Sequence, residues 1–242
     1  MEPLPAVLTV VFAAGLVQGL AGFGSALVAV PLLALLLPLE TVVPLMALIA
    51  LGMSGMNVAH LHRSLRLGPL APLLAGYLAG TPLGLYFLVE APRDLVLGSL
   101  GLLLVVYGGY SLTGRDPRSA LLRRHGLALG AASGALGAAF STNGPPVILH
   151  VTSQDWEPRV KKAVLSLFFF ISSTITAAAH ALAGLTTGQV LHWALATVPA
   201  LILGTLAGIG LYRRLSAHDY RRITFALVLV MGLVMLGRAV VG

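Results

Sequence analysis

Charge is what this sequence has least of. Only 10% of its 242 residues are Asp, Glu, Lys or Arg, against about 25% in an average soluble domain. All eight carboxylates (Glu2, Glu40, Glu90, Asp94, Asp116, Asp155, Glu157 and Asp219) fall in loops or at helix ends. A carrier of cations or protons usually keeps an acid inside its bundle, and none is available here. No Lys or Arg lies in mid-span either. Cysteine is absent altogether, which excludes disulfides, thiolate metal sites and cysteine nucleophiles. No metal ligand set and no cofactor motif replaces them.

What is present is apolar: 57% of the residues are hydrophobic, in successive segments of about 20 residues with short loops. This predicts an all-α integral membrane protein, a helical bundle rather than a barrel. The net charge of +7 fits Lys and Arg gathered in cytoplasmic loops, and no basic stretch stands apart from a membrane boundary, so nucleic acid is not the expected partner. Met1-Glu2-Pro3 lacks a positive n-region, so the first segment is not expected to be a removable signal peptide.

The first apolar stretch, 5–37, is uncharged and would make a helix roughly 50 Å long, well beyond the roughly 30 Å hydrocarbon core. Its centre, Gly19-Leu20-Ala21-Gly22-Phe23-Gly24-Ser25, concentrates glycine where a helix is easily interrupted. Two half-length helices joined at a tip, a re-entrant hairpin, is the expected solution. A second hairpin is expected over 125–151, broken between Ala139 and Pro146. Ordinary helices are expected at 41–60, 69–89, 94–112, 163–182, 189–211 and 220–240.

The basic residues favour this layout. If both hairpins return to the side they entered, one side collects thirteen of them: Arg63 and Arg66, Arg115 to Arg124, Arg159 to Lys162, and Arg213 to Arg222. Arg93 and Arg238 alone fall on the other. That asymmetry is what the positive-inside rule expects, and it puts both termini outside. If both stretches crossed instead, the split would be nearly even.

Each half, 1–113 and 125–242, then holds one hairpin and three spans around a cytoplasmic linker at 114–124. An odd number of crossings makes the halves inverted repeats. Gly15, Gly19, Gly22 and Pro31 match Gly130, Gly134, Gly137 and Pro146 at a constant offset, and Gly80-Thr81 with Gly84 matches Gly204-Thr205 with Gly208.

A half-helix starting in mid-membrane presents unpaired N–H groups and the positive end of its dipole, a ready site for an anion. The returning helices are expected to begin near Gly24-Ser25 and Thr142-Asn143-Gly144. Gly22, Phe23, Gly24 and Ser25 at one tip, with Ser141, Thr142, Asn143 and Gly144 at the other, are the candidate substrate-binding residues. His150, His180 and Asn57 are candidates for coupling or for lining the cavity; histidine titrates near neutral pH. The alternative for all of these residues is close helix packing and interhelical hydrogen bonding. An intramembrane serine hydrolase using Ser25 or Ser141 with His150 or His180 is a rival, but Gly22-Phe23-Gly24-Ser25-Ala26 lacks the G-x-S-x-G pattern. A passive anion channel is another, distinguished by flux that does not saturate.

The run Gly15-Leu16-Val17-Gln18-Gly19-Leu20-Ala21-Gly22-Phe23-Gly24-Ser25 with Val30-Pro31-Leu32-Leu33 resembles the sulfite exporter TauE/SafE family, which includes toluenesulfonate uptake permeases. So does Gly134-Ala135-Leu136-Gly137 with Asn143-Gly144-Pro145-Pro146, followed by Lys161 and Lys162. The resemblance implies a carrier in the bacterial or archaeal cytoplasmic (inner) membrane for sulfur-containing anions such as sulfite or organosulfonates, usually an exporter. The second motif reads Ala138-Ala139-Phe140 where relatives often show a Gly-Gly pair. Membrane lipid, a coupling ion (proton or sodium) and a second copy in a homodimer are the further partners to consider.

Overall fold

The computed structural model describes residues 4–21, 24–61, 70–114, 120–212 and 217–241. All regular elements among them are helices: α1 (Leu4–Ala21), α2 (Ser25–Ala34), α3 (Leu39–Leu61), α4 (Ala71–Glu90), α5 (Arg93–Leu112), α6 (Ala120–Arg124), α7 (Gly126–Phe140), α8 (Gly144–Ser153), α9 (Pro158–Leu182), α10 (Gly188–Tyr212) and α11 (Ala217–Val241). Among the described residues, five stretches are long and apolar enough to cross a membrane: Ala71–Glu90, Arg93–Leu112, Pro158–Leu182, Gly188–Leu211 and Arg222–Val240. The protein is thus an all-helical, multi-pass membrane protein. Leu83, Tyr86, Leu195, Leu203 and Leu206 stand exposed on these helices, a distribution suited to lipid and costly in water.

Both broken stretches form two helices. α2 and α8 have 10 residues each, which makes them about 15 Å long, half of the hydrocarbon thickness. Two elements differ from expectation. α9 starts at Pro158, where a proline loses nothing because a first-turn N–H has no intrahelical partner; Arg159, Lys161 and Lys162 therefore ride on its first turns instead of a loop. The linker holds the short helix α6. Arg63, Arg66, Arg115, Arg118, Arg213 and Arg214 lie outside the described residues, as do Gly22 and Phe23.

The helices form two compact units, each drawing on both halves of the sequence. One comprises Met1–Val42, Glu90–Arg115 and Gly188–Gly242; the other comprises Val43–Val89 and Asp116–Thr187. In the first, α1 lies against α10 and α5 against α11. A Cβ added at Gly15 or Gly19 would collide with the carbonyl oxygen of Leu201 or Thr205; one at Gly204 or Gly208 would strike that of Phe12 or Leu16. In the second, Cβ atoms at Gly76, Gly80 and Gly84 of α4 would overlap the carbonyls of Leu127, Ala131 and Ala135 of α7. Those at Gly130 and Gly134 would overlap the carbonyls of Leu73 and Tyr77. Lipid is as apolar as leucine, so membrane helices associate through packing, and glycines four residues apart let two backbones touch.

Candidate functional site

The tip between α7 and α8 is built within the second unit. α7 ends because Ser141 turns left-handed, with φ 51°, a conformation few non-glycine residues adopt. Its N–H donates to the Gly137 carbonyl (2.8 Å), closing the helix end. The side chain stabilises the turn, since Ser141 Oγ donates to the Val43 carbonyl at 2.7 Å. Ser141→Ala removes that bond while keeping the unfavourable φ. We expect a loss of about 1–2 kcal/mol, read from thermal unfolding of the purified protein.

Asn143 precedes α8 and is pinned at both ends. Its Nδ2 donates to Ser172 Oγ on α9 (2.8 Å), and its backbone carbonyl accepts from Ser133 Oγ on α7 (2.5 Å). Ser172 Oγ also reaches the Phe169 carbonyl (3.2 Å). Thr142 Oγ1 donates to the Phe140 carbonyl (3.0 Å), so this hydroxyl serves the turn. Gly144 opens α8, followed by Pro145 and Pro146. Two of the first N–H groups are therefore missing, and the positive end of this helix rests on the amides of Gly144 and Val147.

Side chains from α4 and α9 complete the tip. Tyr77, fully buried, shares a hydrogen bond with Thr176 Oγ1 (2.5 Å) and interacts with Asn143 and Ser172. Its hydroxyl occupies the space that a side chain on Gly137 would need. Its ring packs edge-on against Phe168, with centroids 5.6 Å apart, in a core shared with Leu73, Val147 and Val151. A cavity follows from these placements, lined by Ala47, Ala50, Gly137, Ser141, Asn143, Ser173 and Thr176. About 10 Å³ of it is open to the centre of a water molecule, room for about one water.

Of the four residues the sequence singled out at this tip, Ser141 and Asn143 line the cavity, the Thr142 hydroxyl serves the turn and Gly144 opens α8. Sequence reading passed over Tyr77, Ser133 and the role of Gly137 as a seat for a phenol. The available signal was a tyrosine set between Gly76 and Gly80 on an otherwise apolar helix.

At the other tip, Gly24 has φ 92° and leads into α2, whose first residue, Ser25, is buried. Unlike α8, α2 begins without proline (Ser25-Ala26-Leu27-Val28), so its first-turn amides are all present. Asn57 lies on α3, and its side chain is outside the described residues.

The two histidines are placed differently. His150 sits near the base of α8, with Nδ1 2.7 Å from the Leu122 carbonyl and Nε2 3.2 Å from Gln154 Nε2. Around it, Arg123 Nε donates to the Ser153 carbonyl (2.7 Å) and Lys161 Nζ to that of Thr152 (2.9 Å), while Arg123 also pairs with Asp155. Cations on the last carbonyls of α8 complement its dipole and fix the foot of the hairpin. His180 is fully buried on α9, with Nε2 2.8 Å from the Ala138 carbonyl near the end of α7. Both imidazoles thus contact backbone carbonyls, and Ser141 Oγ also donates to one.

The profile of the family described as sulfite exporter TauE/SafE matches residues 7–235. Neither the curated proteins nor the solved structures contain a match.

Proposed function

Because the chain belongs to the sulfite exporter TauE/SafE family, we propose that it is a secondary transporter that carries a small sulfur-containing anion, sulfite or an organosulfonate, by alternating access. Export across the cytoplasmic membrane is the direction we favour. In this reading both hairpins are re-entrant, both termini lie outside and the halves are inverted repeats. Supporting the repeat, α1 meets α10 through Gly15, Gly19, Gly204 and Gly208, as α7 meets α4 through Gly130, Gly134, Gly80 and Gly84.

The observation that carries the proposal is the set of neutral donors at the second tip. Asn143, Ser173 and Thr176 line one cavity together with Ser141, whose own hydroxyl hydrogen is engaged by Val43, at the start of a helix too short to span a membrane. Neutral donors and a helix dipole hold an oxyanion without the desolvation cost of a buried Lys or Arg. They also let it leave again. The cavity has room for about one water and is smaller than any sulfur oxyanion, so loading requires the tip to open. We assign substrate contact to Ser25, Gly24 and the tip residues Gly22 and Phe23 on the same dipole argument, with Asn57 as a further cavity residue.

The test is a thermal-unfolding screen of the purified protein against sulfite, sulfate, methanesulfonate and sulfoacetate, with matched chloride salts as reference. A ligand at a hundred times its dissociation constant stabilises by about 2.7 kcal/mol. A clear rise with one or more sulfur oxyanions is expected; no rise with any of them overturns the proposal.

A further inference from the structure

We propose that His180 is the proton-binding group of the transport cycle, accepting one proton at Nδ1 as the anion settles at the α7–α8 tip. The inference rests on the transport reading above and adds the coupling ion to it.

The ring geometry supports this. The Ala138 carbonyl can only accept, so Nε2 carries the hydrogen and Nδ1 of the neutral ring is a bare lone pair. That atom is buried and has no hydrogen-bond partner, on a residue that is 0% exposed. Buried acceptors are almost always satisfied, so an orphan at a functional position calls for an explanation. His150 offers no such vacancy, since Leu122 and Gln154 engage both its nitrogens.

The position is equally specific. Ser172, Thr176 and His180 recur every four residues on one face of α9 and bond in turn to Asn143, Tyr77 and Ala138. Ala138 adjoins Gly137, and Gly137, Thr176 and Asn143 line the cavity. His180 is thus one turn from the lining residue Thr176 and bonds the neighbour of the lining residue Gly137. It also sits on a carbonyl at the negative end of α7, where a positive ring is favoured.

Among the described residues, no fixed charge competes for the role. α7 contains no titratable residue, and neither does α3 over 43–55. α4 contributes Tyr77, which is bonded to Thr176, and the exposed Tyr86 and Glu90. α8 contributes only His150, at its foot, where Arg123 and Lys161 bond the last carbonyls of the helix. Arg159, Lys161 and Lys162 lie at the other end of α9, at least about 27 Å away along its axis. A protonated His180 thus lacks a carboxylate counterion, and the bound anion supplies the opposing charge. Proton and monoanion favour each other's binding and cross as a neutral pair, so export proceeds where the outward gradient of the anion exceeds the inward gradient of the proton. The proton comes from the water that admits the anion, adds to the Nδ1 lone pair, and returns to water where the anion leaves. No bond of the anion changes.

The test uses proteoliposomes and methanesulfonate, which stays a monoanion between about pH 5 and about pH 8, where histidine changes charge. Wild-type protein is expected to accumulate it when the outside is acidified. His180→Gln retains an amide to donate to Ala138 and lacks a basic nitrogen. Its anion–anion exchange should no longer vary with pH, its gradient-driven accumulation should fall by about tenfold or more, and its net flux should become driven by membrane potential. Independently of the variant, wild-type affinity for methanesulfonate should strengthen on acidification, approaching about tenfold per pH unit. Affinity that is flat with pH, or gradient-driven uptake that survives in His180→Gln, overturns the inference and leaves the transport reading standing. Absence of any sulfur-anion exchange in the wild type overturns both.

Discussion

Asn143→Leu is expected to abolish saturable sulfur-anion flux in proteoliposomes and to leave a folded, monodisperse protein. The two side chains are close in size, so the cavity keeps its walls. What disappears is the amide that bonds Ser172 and faces the cavity. Ser172 Oγ keeps the Phe169 carbonyl as a partner, so the structural cost stays near the 1–3 kcal/mol of one disturbed buried hydrogen bond. For the anion the loss is larger. A charge-assisted donor contributes about twice a neutral one, and leucine also places an apolar surface against a charge already stripped of water. A fall of at least about a hundredfold in flux is expected. Unchanged flux would remove the second tip from the mechanism, and a residual flux that no longer saturates would favour a pore.

Gly134→Leu should have the largest effect on folding. The first atom of any side chain here would overlap the Tyr77 carbonyl, so α4 and α7 would have to separate. Conventional overpacking costs about 1–3 kcal/mol. Here a whole backbone contact opens, releasing Tyr77 from its place against Phe168 and Thr176, so a loss above about 3 kcal/mol is expected. The measurement is the yield of monodisperse protein, with Gly109→Ala as comparison. Gly109 of α5 has open space around it, and alanine there should be neutral or stabilising by up to about 1 kcal/mol. Equal yields from the two variants would show that the glycine contact contributes little.

The helices were legible in the sequence because lipid imposes one rule on every spanning segment, and 41–60, 94–112 and 189–211 fall inside or nearly inside α3, α5 and α10. The breaks were legible from glycine and proline, which mark where helical hydrogen bonding stops. Less visible was which helix each hairpin leans on. The i, i+4 glycines of α1, α4, α7 and α10 advertise a close-packing face, and nothing in that spacing names the partner. Tyr77 was hidden because hydropathy treats its ring as part of the apolar run, whereas its hydroxyl is what joins α4 to α9. The start of α9 was misplaced for the opposite reason: charge on Arg159, Lys161 and Lys162 reads as loop, while the foot of α8 uses Lys161 as a cap.

The pairing of α1 with α10 also bears on how the chain is made. Helices enter the membrane in the order in which the ribosome delivers them, and α1 leaves it well before α10. Its glycine-flattened side stays bare until Leu201 and Thr205 arrive, whereas the segments of Val43–Thr187 that form the other unit are all synthesised by then. The α1–α10 contact therefore closes only after the whole of the other unit has been made, and a chain truncated before α10 would leave α1 without its partner.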